Sequence, residues 1–568
     1  FVPRYLRLAV KERFNSKGET VIPLDAATVR SAAAELREEN IKAVAVALLW
    51  SIVNPTHERE VKRILEQELP GVPVVLSSEV LPAIREWERT CATLLSAYVL
   101  PGISRYMREL EQYLRESGLR RQLLVIQLNG GCASVDSVLR KPIYALASGP
   151  AAGPAAALHC AKRQNAADVV AIDMGGTSFE VCMITGGQPT VTKEMRVQDM
   201  PVGVPAVDVH SIGAGGGSIA WVDKGGALQV GPLSAGADPG PACYAQGGEQ
   251  PTVTDANLVL GYINPNYFLG GRRKIDPALS RAAIEQKVAR PLGISVEEAA
   301  QGIFRVVNSN MVSAIRAVSI ERGIDPRGYA MVVGGGAGAI HATQLAADLG
   351  IRKVIIPRYA GVFCSYGMVV SDVKHDHVKT MASNSDRLNL EQINAVYDEL
   401  EAQARAELQE EGFALSQIEI RRYADAKYPS QVHELSVPVP SARKLTSKDM
   451  TNVLEAFHAL HERMFTYCVR ESPVDFFHWG VSGIGHTPEV ATEEMAVLRR
   501  PTAAPLKARR QVFFERGFSA TQCYDGEKLV HGMTIEGPAV VEEENTTVVL
   551  FAGQKLEVNR AGDLVINL

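Results

Sequence analysis

The sequence predicts a multidomain α/β protein built on layered, partly parallel sheets, and three observations carry that prediction. Apolar runs of strand length alternate with amphipathic helical stretches from the first hundred residues onward. The apolar run 169–172 delivers Asp173 to a Met174-Gly175-Gly176-Thr177-Ser178 turn, and a second apolar run, 181–184, leads away from it. Met331-Val332-Val333 runs into Gly334-Gly335-Gly336-Ala337-Gly338, then a helical pattern to Leu349 and a strand over 353–357, which makes a β–loop–α–β unit. The chain has 568 residues, more than one hydrophobic core organises, so about two to four domains are expected.

Taken in order, residues 27–39 have a helical pattern and 41–50 reads as a strongly apolar strand. A helix opens at Pro55-Thr56-His57-Glu58 and runs to about Leu69, followed by a strand over 72–76. Residues 84–117 read as one charged helix, and 123–128 as a strand ending at Asn129-Gly130-Gly131. Two loops, 212–218 and 234–244, are too rich in glycine and proline for regular structure. Thr254 is the expected N-cap of the helix that begins in Thr252-Val253-Thr254-Asp255-Ala256-Asn257, and 297–322 reads as a long helix. Met381-Ala382-Ser383-Asn384-Ser385 suggests a linker within 380–390. After it come a polar helix over 388–413, a helix over 457–467 and a β-rich tail.

The formal net charge of −5 argues against general nucleic-acid binding, which needs a basic footprint. No apolar run is long enough to span a membrane as a helix. The eight cysteines are dispersed with no Cys-x-x-Cys pair, so zinc-knuckle and thioredoxin-type sites are not expected and a reducing cytoplasm fits best. Cys160, Cys182 and Cys364 lie in apolar surroundings and read as small buried residues. The chain opens mid-pattern at Phe1, which suggests that a further segment precedes it.

The Asp173 hairpin carries the chemistry. Glycine lets a backbone approach an anion closely, successive N–H groups form a phosphate-binding nest, and Thr177 and Ser178 add hydroxyl donors. Asp173 at the strand end is placed to hold Mg²⁺ or its waters. The loop 334–338 follows a strand and precedes a helix, so its N–H groups and the helix N-terminus face a crevice. Its glycine spacing is not that of a dinucleotide-binding fingerprint. The two glycine motifs stand about 160 residues apart, which suits a cleft lined from two sides.

These segments together resemble the hydantoinase A / 5-oxoprolinase / acetone carboxylase family, within the superfamily of actin, sugar kinases and heat-shock ATPases. The matching residues include Glu88-Arg89-Thr90, Asn129-Gly130-Gly131, Ser148-Gly149-Pro150-Ala151-Ala152-Gly153, the 173–178 and 334–341 segments, Pro251-Thr252-Val253-Thr254-Asp255-Ala256-Asn257-Leu258 and Glu321-Arg322-Gly323-Ile324-Asp325-Pro326-Arg327. Gly361-Val362-Phe363-Cys364-Ser365 and Glu536-Gly537-Pro538-Ala539-Val540-Val541-Glu542 complete them, so the resemblance covers essentially the whole chain. It implies actin-like (ribonuclease H-like) ATPase lobes: 1–100 as the remainder of a first lobe, 101–385 as a second, and 386–568 as a strand-rich mixed α/β C-terminal domain for subunit contacts. It implies ATP and Mg²⁺ as cofactors and a B-type subunit as partner in a hetero-oligomer with a homodimeric core. The implied activity is ATP-dependent activation of a carbonyl or amide oxygen on a small-molecule substrate. A cyclic amide of hydantoin or oxoproline type is preferred, with ketone carboxylation and a non-catalytic scaffold as alternatives.

Carried over residue by residue, Asp173, Gly175, Gly176 and Thr177 match the superfamily's second phosphate motif. Gly334, Gly335, Gly336 and Gly338 match its adenosine motif. Gly213, Gly215, Gly216 and Gly217 match a family loop expected near phosphates or substrate. Two departures stand out. The family's first phosphate motif, a separate Asp-x-Gly-Gly-Thr N-terminal to the second, has no counterpart before Asp173 and is expected upstream. Phe179-Glu180 stand where Thr-Asp is common, which keeps a carboxylate on a longer stem.

Other polar residues have bland readings beside sharp ones. His341 is read as packed or capping in preference to ligand-touching. His375 and His377 would share one face of a strand, a metal-like pairing, but a solvated loop or domain seam is the preferred reading. Asp255, Asn257 and Asp238 are open between lining the site and holding structure. Cys243 has no His–Asp arrangement around it and is read as structural, and Arg322 as the partner of a carboxylate.

Overall fold

The computed structural model describes residues 1–441, 443–490, 494–495, 503–514 and 517–568. The chain divides into two compact units, both discontinuous in sequence. One comprises Phe1–Ser148, Val191–Ala206 and Ser371–Pro488; the other comprises Gly149–Thr190, Val207–Val370 and Glu489–Leu568. This differs from the expected linear division at residues 100 and 385. The linker expected within 380–390 is instead the end of a strand, Val373–Asn384, paired along its length with Asp475–Gly485. The ladder there breaks register between Thr380 and Ser383 and resumes at Ser383 and Asn384.

The second unit is organised by a nine-stranded mixed sheet. Its main path is His210–Ile212, Phe179–Thr185, Val169–Met174, Ala330–Gly334, Lys353–Ile356, Leu564–Asn567, Lys555–Val558 and Thr534–Glu536. Val169–Met174, Ala330–Gly334 and Lys353–Ile356 are parallel neighbours, and the helix Gly338–Leu349 crosses between the last two, as the β–loop–α–β pattern predicts. Because strand side chains alternate, each central strand feeds two cores. Val170, Ile172, Met331 and Val333 join the helices Val296–Val318 and Gly338–Leu349 on one face. Val169, Ala171, Ala330 and Val332 meet Ala156, Ala157 and Cys160 of the helix Gly153–Lys162 on the other. Both faces are covered, which is why these strands read as continuous apolar runs. A four-stranded sheet, Leu506–Phe514, Gly517–Asp525, Ala539–Glu542 and Thr547–Leu550, belongs to the same unit.

The first unit carries a six-stranded sheet in the order Leu435–Val439, Ile418–Lys427, Asp475–Gly485, Val373–Asn384, Cys132–Ser134, Leu124–Ile126. The helices Leu390–Glu410 and Ser447–Phe465 pack on it around the buried Trp479, Tyr397 and Phe457. The helices Ala26–Glu38 and Thr56–Glu68 flank the parallel pair Val44–Val46 and Val74–Leu76, and Glu86–Glu116 is one helix, as its charge pattern suggested. The strand expected over 41–50 is thus only three residues long, with a turn following. Among the described residues no helix is long and apolar enough to cross a membrane.

Candidate functional site

Asp173 is the penultimate residue of its strand, with Glu180 in register on one side and Gly334 on the other. The carboxyl ends of the two parallel strands therefore lie side by side, the edge at which open α/β sheets bind ligands. From there the chain turns through Gly175–Ser178 into the antiparallel strand Phe179–Thr185, closed by Gly175 N–H donating to Ser178 O at 3.2 Å.

Three glycine segments distant in sequence meet at this turn. Gly216 N–H donates to Gly175 O at 3.0 Å and Gly217 N–H to Gly176 O at 2.6 Å, so the 215–217 loop consumes the turn's carbonyls. Ala337 N–H donates to Met174 O at 3.0 Å, which fastens the 334–338 loop to the same strand end. The fit leaves no room for side chains. A Cβ on Gly335, whose φ is +81°, would lie 2.2 Å from Met174 O and 2.5 Å from Asp173 Oδ1; one on Gly215 would lie 2.6 Å from Thr177 N. Gly334 is covered by Phe363 and Gly338 packs near Val333, so both are packing positions, whereas Gly336 is exposed.

Gly175 and Gly176 behave differently. Neither has a positive φ, and a Cβ on either would project into open space. The protein's own packing does not demand glycine there. Among the described residues the N–H groups of Gly176 and Thr177 have no acceptor, and neither do the Thr177 and Ser178 hydroxyls. Four donors beside one carboxylate are thus left without a partner. Asp173 accepts from the Cys364 thiol at 3.3 Å, and Glu180 accepts from the Ser211 hydroxyl at 3.2 Å. Burial, with the Glu180 charge, raises Asp173 to about 6 against the thiol's opposing hydrogen bond. Cys364 is therefore more than core filler: it is half-buried against the carboxylate.

Several of the remaining candidates hold structure. The N-cap of Val253–Val259 is Thr252, not Thr254: Thr252 and Asp255 form a capping box, while the Thr254 hydroxyl donates to Gly216 O at 2.8 Å and anchors the glycine loop. Asp255 is fully buried and accepts from Cys243 N–H at 2.8 Å and the Ser280 hydroxyl at 2.6 Å, which pins the 234–244 loop to the helix. Burial and the Asp255 charge raise the Cys243 thiol, which leaves it unsuited to be a nucleophile. His341 is packed, as read: it stacks on Phe304 at 4.7 Å and hydrogen-bonds Asn308 at 2.7 Å and Asn257 at 3.2 Å, and burial lowers it to about 3. Arg322 pairs with Asp208, and Asp238 lies in an exposed loop.

His375 and His377 do share a strand face, but the solvated-loop reading is overturned. Both are buried, with His375 2.7 Å from Glu411 and 3.3 Å from Glu407, and His377 3.3 Å from Glu407. Among the described residues one side-chain cluster has metal-like spacing: Asp425, Glu434 and His478, in the first unit. Lys193 already supplies a cation to Asp425. His478 Nε2 accepts from Ile84 N–H at 3.3 Å, which leaves the proton on Nδ1, directed at the two carboxylates. The cluster is an internal ion-pair network.

Comparisons with known proteins agree with this architecture. Residues 1–69 match the family model for the hydantoinase/oxoprolinase N-terminal region, 89–377 that for hydantoinase/oxoprolinase, and 381–561 that for the hydantoinase/oxoprolinase C-terminal domain. The caprolactamase subunit alpha of Pseudomonas jessenii is 38% identical over 98% of this chain and 81% of its own. The acetophenone carboxylase gamma subunit of Aromatoleum aromaticum is 34% identical over 99% and 79%. The crystal structure of the ATP-dependent caprolactamase from Pseudomonas jessenii superposes with a TM-score of 0.93 at 37% identity, covering 100% of this chain and 82% of that one. The chain belongs to the hydantoinase/oxoprolinase family.

Proposed function

We propose that this chain is the nucleotide-binding subunit of an ATP-dependent enzyme that opens a cyclic amide by phosphorylating its carbonyl oxygen. The observation that carries the proposal is the pair of unpartnered N–H groups of Gly176 and Thr177 beside Asp173, at the carboxyl ends of two parallel strands. The open space in front of Gly175 and Gly176 is what an anion held by backbone donors needs. On this reading Gly175, Gly176, Thr177 and Ser178 hold phosphate oxygens. Gly215, Gly216 and Gly217 brace the turn from behind, and Gly335 and Gly336 border the nucleoside, held in place by the packing of Gly334 and Gly338. The actin-like architecture implied by the sequence is part of the same reading.

Asp173 is the residue to hold Mg²⁺, directly or through water, with Glu180 the nearest further carboxylate. ATP would supply the phosphoryl group: the amide oxygen gains a bond to the γ-phosphorus as the β–γ bridge breaks and ADP leaves, water adds to the activated carbon, the ring C–N bond breaks with the proton passing to nitrogen, and a second water releases inorganic phosphate from the resulting acyl phosphate. This chain's contribution is positioning and charge neutralisation. The turn's N–H groups and hydroxyls fix the phosphate oxygens, and the carboxylate keeps the cation in place.

The relatives are named as subunits, and a B-type subunit in a cytoplasmic hetero-oligomer with a homodimeric core completes the proposal. A ketone carboxylase is the second reading, favoured by the 34% identity to the acetophenone carboxylase gamma subunit. The test is ADP release by the full chain with its co-encoded subunits, presented with hydantoins, 5-oxoproline, lactams, or ketones plus bicarbonate. Release with a cyclic amide supports the first reading and release only with ketone plus bicarbonate the second. Absence of release with every candidate would favour a scaffold.

A further inference from the structure

The helix Glu86–Glu116 leaves the core of the first unit halfway along its length. All its buried residues lie between Arg89 and Ala97. Beyond them, positions 102, 106, 109 and 113 recur at alternating spacings of four and three, so they form one seam along the helix. Tyr106 and Tyr113 on that seam are 60% and 65% exposed, and among the described residues neither ring nor hydroxyl has a partner. Tyr98 stands apart from the free seam because Phe1 packs on it, ring centroids 5.1 Å apart.

Gly102 lies on the same seam. Its φ is not positive, and a Cβ there would meet nothing within 4 Å. Glycine inside a helix is destabilising relative to alanine, and neither the backbone nor the packing of this copy calls for it. A second surface approaching closely does. The charges add a further sign. Arg108 pairs with Glu111 and Asp136, Arg115 pairs with Glu111, and Gln112 donates to Glu116. Arg105 and Glu109 are exposed, opposite in sign and four residues apart, yet among the described residues neither has a partner.

We propose that a second copy of this chain covers the seam, its helix antiparallel to the first about a two-fold axis crossing near Met107. Arg105 and Glu109 each lie two residues from that axis, so each arginine meets the glutamate of the other copy. Tyr113 lies six residues from it and Gly102 five, so each tyrosine ring drops onto the glycine opposite, and the two Tyr106 rings meet beside the axis. The patch complements itself, as a closed two-fold pair requires; a partner of different sequence would need no such mirrored placement. Tyrosine and arginine are also the side chains that most often carry interface energy. The proposal rests on the homodimeric core of the reading above and names the face that forms it.

Native mass spectrometry of the full chain with its co-encoded subunits counts the copies of this chain per assembly, and sedimentation over a concentration series measures how tightly the copies pair. Arg105→Glu and Glu109→Arg should each weaken pairing about tenfold, since each sets like charges against one another. The double variant, with the charges exchanged, should return to within about threefold of the parent, a rescue that a folding defect would not give. Gly102→Leu should weaken pairing about tenfold by holding the helices apart, with the melting transition unchanged or raised. If the assembly holds two copies and all these variants pair like the parent, the seam is overturned and the homodimeric core stands on another face. If the single variants release the co-encoded subunit and leave the copies paired, the second-copy proposal is likewise overturned. A single copy per assembly overturns both the seam and the homodimeric core.

Discussion

Two polar motifs invite a chemical reading, the Asp173 turn and the His375–His377 strand, and they differ in what is left over after folding. In the strand nearly every charge is met internally: His375 meets Glu407 and Glu411, His377 lies 3.3 Å from Glu407 though its Nε2 makes no hydrogen bond, and Asp376 accepts from Asn129 at 2.8 Å and from Ser482. At the turn, carbonyls are consumed by neighbouring loops, but two N–H groups and two hydroxyls are not. A cluster that satisfies itself holds a fold together, whereas donors left unpaired at a strand end are available to a ligand. Residue type alone does not separate the two cases.

The comparison can be broken most sharply at Asp173. Asp173→Asn should lower substrate-dependent ADP formation by about 10²–10³-fold or more without changing the melting transition. The same readouts on Glu411→Ala should reverse: it strips His375 of a buried partner, so unfolding should show a loss of about 3 kcal/mol, with ADP formation per folded molecule preserved.

Glycine substitutions sharpen the contrast within the site. Gly335→Ala forces a Cβ onto Met174 O at a left-handed φ and should cost about 1–3 kcal/mol in denaturant titration. Gly176→Ala meets open space, so its stability should change by less than about 0.5 kcal/mol, and its effect should appear as ATP affinity weakened severalfold.

The smallest effect is acid sensitivity. Burial raises Glu407, but the close contact with His377 and the charges of His377, His375 and Lys141 outweigh it and hold the group at about 2, below its ordinary 4.5. A depressed carboxyl stabilises the fold above its unfolded value, and that stabilisation fades as pH falls from about 4.5 toward 2. Glu407→Gln should flatten the stability–pH curve in that window and leave its shape at neutral pH alone.

Much of the site was legible because it is local. An apolar run ending in Asp-x-Gly-Gly-Thr-Ser, and another ending in glycines before a helix, each specify a strand and the direction in which it exits. What brings them together is pairing across the sheet, and no local pattern encodes that Gly334 lies beside Asp173. Cys364 read as a core residue for the same reason: its apolar neighbours are local, and the carboxylate it touches is not. Thr254 was a reasonable N-cap by type, but the cap belongs to Thr252, because Asp255 three positions on closes the capping box. The discontinuous units were hidden because both leave and re-enter through ordinary strands and loops, without the composition of a linker.

The central claim is that the N–H groups of Gly176 and Thr177 hold phosphate. Amide hydrogen exchange of the full chain, with and without saturating Mg·ATP, addresses those two positions directly. The account predicts that both exchange rapidly alone and become strongly protected with nucleotide. Unchanged exchange at both positions, while binding is independently shown to be saturated, would contradict it.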